Sequence, residues 1–320
     1  MNNKKQIGIF ETLFYEGRNL LTFTGIVLVF SGVFIIVQSF IGEFLPHDTS
    51  YLGMNAQTLG SLNQKIVNFM FHDRISFGGS LISIGVLYMW LSEFPLRRKE
   101  AWAWWVFLIS GVLGFASFLT YLGYGYFDSY HGYSSLLLIP IYCIGLYKSY
   151  ESFEKRPSIQ SLSKTVNRAG LTSKAGMGYS LLYSTSIGIA LGGLVIMLVG
   201  MTFVYVPQDL NYMSMCSADF DQLNPRLTPL IAHDRASFGG GLFSTGLTIF
   251  LIIKCCHPSK NLWQILFVAL AAGFISSIGV HFMIGYLDFI HLAPAYLGAI
   301  MATMGLLLTY KDMMNSYEAK

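Results

Sequence analysis

A polar motif occurs twice in an otherwise apolar chain. The pattern His-Asp-Arg-x-Ser-Phe-Gly-Gly occupies residues 72–79 and returns at residues 233–240. Around it, twelve of twenty-four positions in residues 62–85 are identical to those in residues 223–246. Imidazole is the commonest metal ligand in proteins and also ligates haem iron. The repeated motif therefore favours metal or haem binding, with corresponding candidate ligands in the two halves of the chain.

A second motif is also duplicated. The pattern Gly-Tyr-x-Asp-x-x-His occupies residues 125–131 and residues 285–291. If the Asp and His of this motif are helical, their i, i+3 spacing places them on one helix face. His281, just before the second copy, has no histidine counterpart in the first half. Each half thus supplies Asp and His from two separate segments to what we expect to be one site.

Two ligand sets fit these residues, and both remain open. In the first set, two histidines of one half hold a haem while an arginine faces its propionates. In the second set, imidazoles and carboxylates bind a divalent ion such as zinc, iron or manganese, directly or through the histidines. The haem set comprises His72, His131 and Arg74 in one half and His233, His291 and Arg235 in the other; the ion set comprises His72, Asp73, Asp128, His131, His233, Asp234, Asp288 and His291.

A purely structural interpretation accounts for the same residues. Aspartate is a favoured helix N-cap, a role open to Asp73 and Asp234 and to Asp128 and Asp288. The motif arginines can pair with Asp48 and Asp209 in the loops or with lipid head groups. Histidines and tyrosines at helix ends are also typical of an interfacial belt. This interpretation predicts no cofactor.

The composition indicates a membrane protein. The 320 residues are 53% hydrophobic and 12% charged, with a mean hydropathy of +0.53, whereas soluble domains carry about 25% charged residues. No basic stripe suited to nucleic acid is present, so we exclude that partner. The four cysteines form no disulfide framework and are predicted to be free thiols.

Eight apolar stretches are near the ~20 residues that a spanning helix needs: 20–45, 75–92, 101–122, 132–147, 179–205, 236–253, 262–286 and 291–310.

The positive charges predict an orientation. With the N-terminus in the cytoplasm, sixteen Lys and Arg lie inside and four outside, as the positive-inside rule requires. We therefore expect an all-α integral membrane protein with eight transmembrane helices and both termini cytoplasmic. Two parallel four-helix repeats, at 1–149 and 178–320, flank a cytoplasmic linker at 150–177.

The outer loops carry a repeated apolar pattern. Residues at 59, 62, 66, 69 and 70, and their counterparts at 220–231, recur at helical spacing. This spacing predicts a short amphipathic helix lying on the outer membrane surface in each half. Pro225 is expected to start the second copy late or to kink it.

Two resemblances extend this interpretation. Residues 207–209, 223–227 and 231–240 resemble an uncharacterised family of bacterial multi-pass membrane proteins with duplicated His-Asp-Arg-x-Ser-Phe-Gly-Gly motifs, which implies the bacterial inner membrane. In layout alone, the chain also looks like haem A synthase, which has two tandem four-helix bundles with histidines near the outer ends of the second and fourth helices. The corresponding residues here are His72, His131, His233 and His291. The chain differs in lacking a cysteine pair in its first outer loop and in having Asp directly after His72 and His233.

Three functions remain possible from the sequence. The first is a cofactor-binding membrane protein, including a redox enzyme, with its site on the extracytoplasmic face and a small or lipid-soluble substrate. The second is a transporter or channel whose Asp and His residues relay ions or protons. The third is a membrane hydrolase with a metal-activated water. The lipid bilayer is the partner common to all three.

Overall fold

The chain folds into helices throughout the part that is described. A computed structural model describes residues 17–119, 125–166 and 170–315, and within these ranges there are helices and no strands. The α-helices are α1 (Arg18–Ile41), α2 (Pro46–Leu52), α3 (Ala56–Leu91), α4 (Ala101–Leu119), α5 (Ser129–Glu151), α6 (Lys174–Met201), α7 (Pro207–Met213), α8 (Ser217–Leu223), α9 (Leu227–Cys255), α10 (Lys260–Ile284) and α11 (Phe289–Asn315). The predicted cytoplasmic termini fall on residues 1–16 and 316–320, which lie outside the described ranges.

Six helices are long and apolar enough to cross a membrane, namely α1, α3, α6, α9, α10 and α11. This confirms the class of helical membrane protein. The predicted spans at 101–122 and 132–147, which correspond to α4 and α5, are not among these six helices. The apolar part of α4, Ala101–Ala116, is shorter, and α5 contains Pro140 together with several polar residues. None of the four cysteines takes part in a disulfide, as predicted.

The predicted surface helix of each half does not form as one element lying on lipid. In the first half, α3 consists of two helical parts separated by the non-helical residue Asn63, where φ is −157°. The Asn63 side chain donates to the carbonyl oxygen of Met213 at 3.0 Å and accepts from the Lys65 amide. The apolar residues of this segment, Ile66 and Phe69 among them, are fully buried in the protein. They pack in the core and do not lie on a lipid surface.

The second copy shows the late start expected from Pro225. Helix α8 ends at Leu223 and α9 begins at Leu227. Between them, Asn224 repeats the role of Asn63, because its side-chain amide donates to the carbonyl oxygen of Leu52 at 2.9 Å. Each asparagine thus ties its own helix to the outer loop of the opposite half.

Glycines allow close packing of the first two long helices in each half. A Cβ on Gly32 of α1 would lie 2.5 Å from the carbonyl oxygen of Gly78 in α3, and a Cβ on Gly193 of α6 would lie 2.7 Å from that of Gly239 in α9. Small residues at such positions let membrane helices approach closely. Both pairs are related by the same shift of 161 positions as the polar motif, so the repeated sequence makes a repeated packing contact.

We expect Gly193→Ala to destabilise the protein by about 1–3 kcal/mol, as overpacking does, since its Cβ would also lie 2.3 Å from the Phe243 nitrogen. The neighbouring Gly192→Ala is a matched control, because no atom lies within 4 Å of its Cβ. That control should be neutral or slightly stabilising through helix propensity. The measurement is the free energy of unfolding in mixed micelles. Equal effects of the two substitutions would contradict close packing of α6 on α9.

The two halves interlock. Helix α3 packs along α10, α9 packs along α4, and α3 and α9 touch each other. Ser83 Oγ in α3 donates to the carbonyl oxygen of Ala269 at 2.7 Å, and Ser244 Oγ in α9 donates to that of Ser110 at 3.0 Å. The second long helix of each half is therefore inserted against the third long helix of the other half. Because α3 packs on α10 and α9 packs on α4, polar residues of one half meet those of the other half.

Candidate metal centre

A buried network of arginine and aspartate joins the two copies of the polar motif. Arg74 Nη1 lies 2.7 Å from Asp48 Oδ2, and Arg74 Nε lies 2.7 Å from Asp234 Oδ2. Arg235 makes the corresponding contacts, with Asp209 and, at 3.6 Å, with Asp73. The side chains are at most 12% exposed. Each arginine thus bridges a loop carboxylate of its own half and a motif carboxylate of the other.

These contacts test two predictions about the motif. The predicted pairing of the arginines with Asp48 and Asp209 is confirmed. The predicted N-cap role of Asp73 and Asp234 is wrong, because α3 and α9 begin at Ala56 and Leu227, well before them. These carboxylates lie inside long helices, where arginines of the other half balance their charge.

Tyrosines complete the network at the loop carboxylates. Tyr126 OH donates to Asp48 Oδ1, and Tyr286 OH donates to Asp209 Oδ1 at 2.8 Å. Burial opposes ionisation of both carboxyls, but the guanidinium groups outweigh it and hold the pKa values of Asp48 and Asp209 below the ordinary value. Burial, together with these carboxylates, raises the pKa of both tyrosines. The tyrosines are therefore neutral donors to ionised carboxylates.

Three imidazoles meet beside this network, and we call them the three-histidine cluster: His72 of α3, His281 of α10 and His291 of α11. One candidate ligand atom from each lies within 4.8 Å of the others. His72 Nε2 and His281 Nε2 face each other at 3.0 Å in a buried position. His72 Nδ1 is 3.1 Å from Asp73 Oδ1.

The tautomer of His281 follows from its neighbour. His281 Nδ1 lies 2.6 Å from the carbonyl oxygen of Ser277, which only accepts, so Nδ1 carries the proton. In the neutral ring, the Nε2 lone pair then points at His72 Nε2. The contact is therefore either a hydrogen bond donated by His72 Nε2 to His281 Nε2 or a place where both nitrogens bind one metal ion lying beside the line that joins them. A hydrogen bond from the other ring nitrogen to a carbonyl oxygen, as His281 makes, is typical of metal-ligating histidines.

Asp128, His131 and His233 form a second group, which we call the aspartate cluster. Their ligand atoms also lie within 4.8 Å of one another. Asp128 Oδ1 accepts from the His131 amide at 2.9 Å, which confirms the predicted N-cap of α5. Burial opposes the Asp128 charge, but the neighbouring imidazoles of His233 and His47 outweigh it and lower the pKa of Asp128. The aspartate cluster thus presents an ionised carboxylate beside two imidazoles.

The grouping of the histidines differs from the prediction. Sequence reasoning placed His72 with His131 and His233 with His291, each pair within one half, and that grouping is wrong. His72 instead joins His291, and His233 joins His131, because α3 packs on α10 and α9 packs on α4. Each cluster therefore takes residues from both halves.

The copies also differ in which residues complete them. Asp288 accepts from the His291 amide at 2.7 Å, the cap that was predicted, but it belongs to neither cluster found among the described residues. His281 completes the three-histidine cluster instead, and His47 contacts the aspartate cluster, with Nε2 3.1 Å from Asp128 Oδ1. Sequence reasoning gave neither histidine a role. The position of His281 beside the second copy of the Gly-Tyr-x-Asp-x-x-His motif was the available signal.

The chain matches no protein-family model, no curated protein and no solved structure. Its chemistry is therefore inferred from the clusters themselves. Three protein ligands with one position left for water or substrate are typical of catalytic zinc sites. Each cluster offers three such ligand atoms.

A cavity of about 440 Å³ adjoins the aspartate cluster. Asp128, His131 and His233 line one end of it, with Arg74 and Asp234 beside them. Side chains of α1, α3, α4, α5 and α9 line the remainder; most are apolar, and serines stand among them. Ligand pockets in proteins generally have volumes of about 300–1,000 Å³ and a few convergent polar groups. The aspartate cluster is therefore placed where it could act on a bound molecule.

Proposed function

We propose that this chain is a membrane protein that binds a divalent transition-metal ion at each of its two clusters. The ion at the aspartate cluster would act on a substrate held in the cavity. The observation that carries the proposal is that each cluster brings three candidate ligand atoms within 4.8 Å of one another, with the Nε2 atoms of His72 and His281 only 3.0 Å apart. One ion lying beside the line that joins these two nitrogens could bind both at the usual distance of about 2.0–2.1 Å.

The geometry favours a small ion over haem at the three-histidine cluster. A haem ligated by two imidazoles needs its macrocycle to pass between the rings. At 3.0 Å, His72 Nε2 and His281 Nε2 are at hydrogen-bonding distance, and no macrocycle fits between them. Imidazoles suit zinc, copper, iron and nickel, and an added carboxylate also suits manganese. At the aspartate cluster the ion could polarise a substrate oxygen or activate a water molecule.

Elemental analysis and a visible spectrum of the purified protein, loaded separately with zinc, iron and manganese, test the proposal. We expect stoichiometric binding of a divalent ion and no haem absorbance. A haem spectrum would instead favour the redox function implied by the likeness to haem A synthase. Protein that binds neither metal nor haem would exclude the cofactor function. Solute movement in vesicles would then favour the transporter.

We further propose eight membrane spans in two parallel repeats, with both clusters near the outer boundary. The contacts of Ser83 with α10 and of Ser244 with α4 support this, since they match α4 to α10 across the repeats. The part of α3 after the kink, residues 64–91, is about 42 Å long at ~1.5 Å per residue, longer than the ~30 Å hydrocarbon core. Counting ~20 residues back from Leu91 reaches the region of His72. The bacterial inner membrane is the location proposed from the family resemblance.

A topology experiment checks the orientation. We expect a reporter fused after residue 165 to be active as a cytoplasmic fusion, and one fused after residue 215 to be active as an extracytoplasmic fusion. The physical reason is the excess of Lys and Arg in the inner segments. Alkaline phosphatase and a fluorescent protein, which are active on opposite sides, serve as mutual controls at each position. The reverse pattern would invert the topology and place both clusters at the cytoplasmic face.

A further inference from the structure

The cavity has a polar end and a long apolar part. From Arg74 to Tyr88, both of which line it, α3 advances fourteen residues, or about 21 Å at ~1.5 Å per residue. Leu81 and Ile84 of α3, Phe115 of α4 and Leu138 of α5 line the apolar part. A ligand that matches both parts has one polar end and an apolar chain.

The cavity opens on the side of the molecule that would face lipid. Phe30 and Phe34 of α1 and Tyr130 of α5 line it, although these side chains are 70%, 50% and 52% exposed. A close approach of α1 and α5 lies away from the aspartate cluster, where a Cβ on Gly17, directly before α1, would lie 2.3 Å from the carbonyl oxygen of Gly145. Within the part of the chain that the structure describes, the cavity reaches the surface between α1 and α5, beside the aspartate cluster. A molecule dissolved in the bilayer can enter there without crossing water.

We propose that this cavity binds a membrane amphiphile with an oxygen-bearing head group, which enters from the bilayer between α1 and α5. The apolar part holds the chain, and the head group meets the aspartate cluster. The head-group contact rests on the proposed metal function, because the open position of a three-ligand metal site takes an oxygen ligand. The binding of the ligand's apolar chain is inferred from the shape and lining of the cavity alone.

Gly114 allows the cavity to be filled without disturbing either cluster. It lines the cavity, and the nearest atom to an added Cβ is Ser244 Oγ at 3.7 Å, an ordinary contact. Alanine therefore fits there, whereas leucine extends into the space needed by the chain. Leu81→Trp fills the same space from α3. If Gly114→Leu fails to fold, Leu81→Trp tests whether filling the cavity prevents binding of the amphiphile.

The experiment uses a palmitate analogue with a diazirine in its chain, at trace level in phosphatidylcholine vesicles that contain the full-length protein. We expect light-induced labelling of cavity residues, competed by unlabelled palmitate. Labelling should fall about tenfold or more in Gly114→Leu and Leu81→Trp, since one excess methylene in an apolar pocket costs that much. Gly114→Ala should label like the wild type. Equal labelling of all variants, or labelling that palmitate does not compete, would overturn the proposal.

Metal analysis of the same samples separates the two proposals. Wild type that holds metal but is not labelled contradicts the amphiphile site and leaves the metal function standing. Competed labelling that both filling variants reduce, in protein that takes up no metal, contradicts the metal function and leaves the chain-binding cavity standing. Asp128→Ala should lose metal at the aspartate cluster while the label still maps to the apolar part, because the chain does not contact that carboxylate.

Discussion

His72→Ala is expected to remove one of two bound metal ions, so that the metal content falls from about two ions per chain to about one. His281→Ala should give the same result, and the double variant should be no worse than either single one, because residues that act as a unit are non-additive. The physical reason is the 3.0 Å contact between their Nε2 atoms, through which both would bind the same ion in the proposed function. Elemental analysis after gel filtration provides the measurement.

The decisive comparison is the double variant His72→Ala/His131→Ala. These two histidines lie in the same half of the sequence but in different clusters. We therefore expect this variant to lose both ions, with the losses adding as they do for independent sites. His257→Ala is the control, since His257 lies outside both clusters. If the His72→Ala/His131→Ala variant retained one ion, the two histidines would belong to one site within the first half. That result would contradict clusters built from both halves.

Arg74→Met is expected to destabilise the protein by about 3–5 kcal/mol, the usual cost of removing one partner from a buried ion pair. Arg74 lies between Asp48 and Asp234, whose side chains are 0% and 8% exposed. Its loss leaves two buried carboxylates without a cation between them. We expect Asp234→Asn to recover part of the loss when combined with Arg74→Met, because it removes one of those charges. The measurement is the free energy of unfolding in mixed micelles.

Arg98→Met is the matched control for this prediction. Arg98 also pairs with a carboxylate, that of Glu100 at 2.7 Å, but its side chain is 49% exposed. Surface ion pairs are worth about 0–1 kcal/mol, so this variant should remain close to the wild type. Similar losses in Arg74→Met and Arg98→Met would show that the crossed network contributes no more than a surface pair.

Local patterns in the sequence were sufficient for the helical membrane class and for several contacts. Long apolar stretches with little charge have to be helices in a bilayer, since every backbone polar group must be satisfied within the segment. The caps of α5 and α11 by Asp128 and Asp288, and the late start of α9 after Pro225, depend on residues a few positions apart. The duplication of the motif also directed attention to the histidines that form the clusters.

Local patterns failed where a segment's environment depends on distant parts of the chain. The helical spacing around Ile66 and Phe69 fits an amphipathic helix on a lipid surface and a buried helix face equally well. Asp73 has the residue type of an N-cap, but the helix that contains it begins well before it, directly after the non-helical Asn63. Periodicity cannot separate these cases, because the difference lies in what covers the apolar face.

The sequence by itself determined which residues are available to bind an ion, and it did so twice, through the repeat. Only the tertiary structure decided which of them meet. The glycine contacts that hold α1 on α3 and α6 on α9 lie within each half, and the repeated sequence accounts for them. The exchange of α3 and α9 between halves depends on contacts such as Ser83 with Ala269, 186 positions apart. Side chains at that separation meet only when whole helices pack, and so His72 finds His281 and not His131.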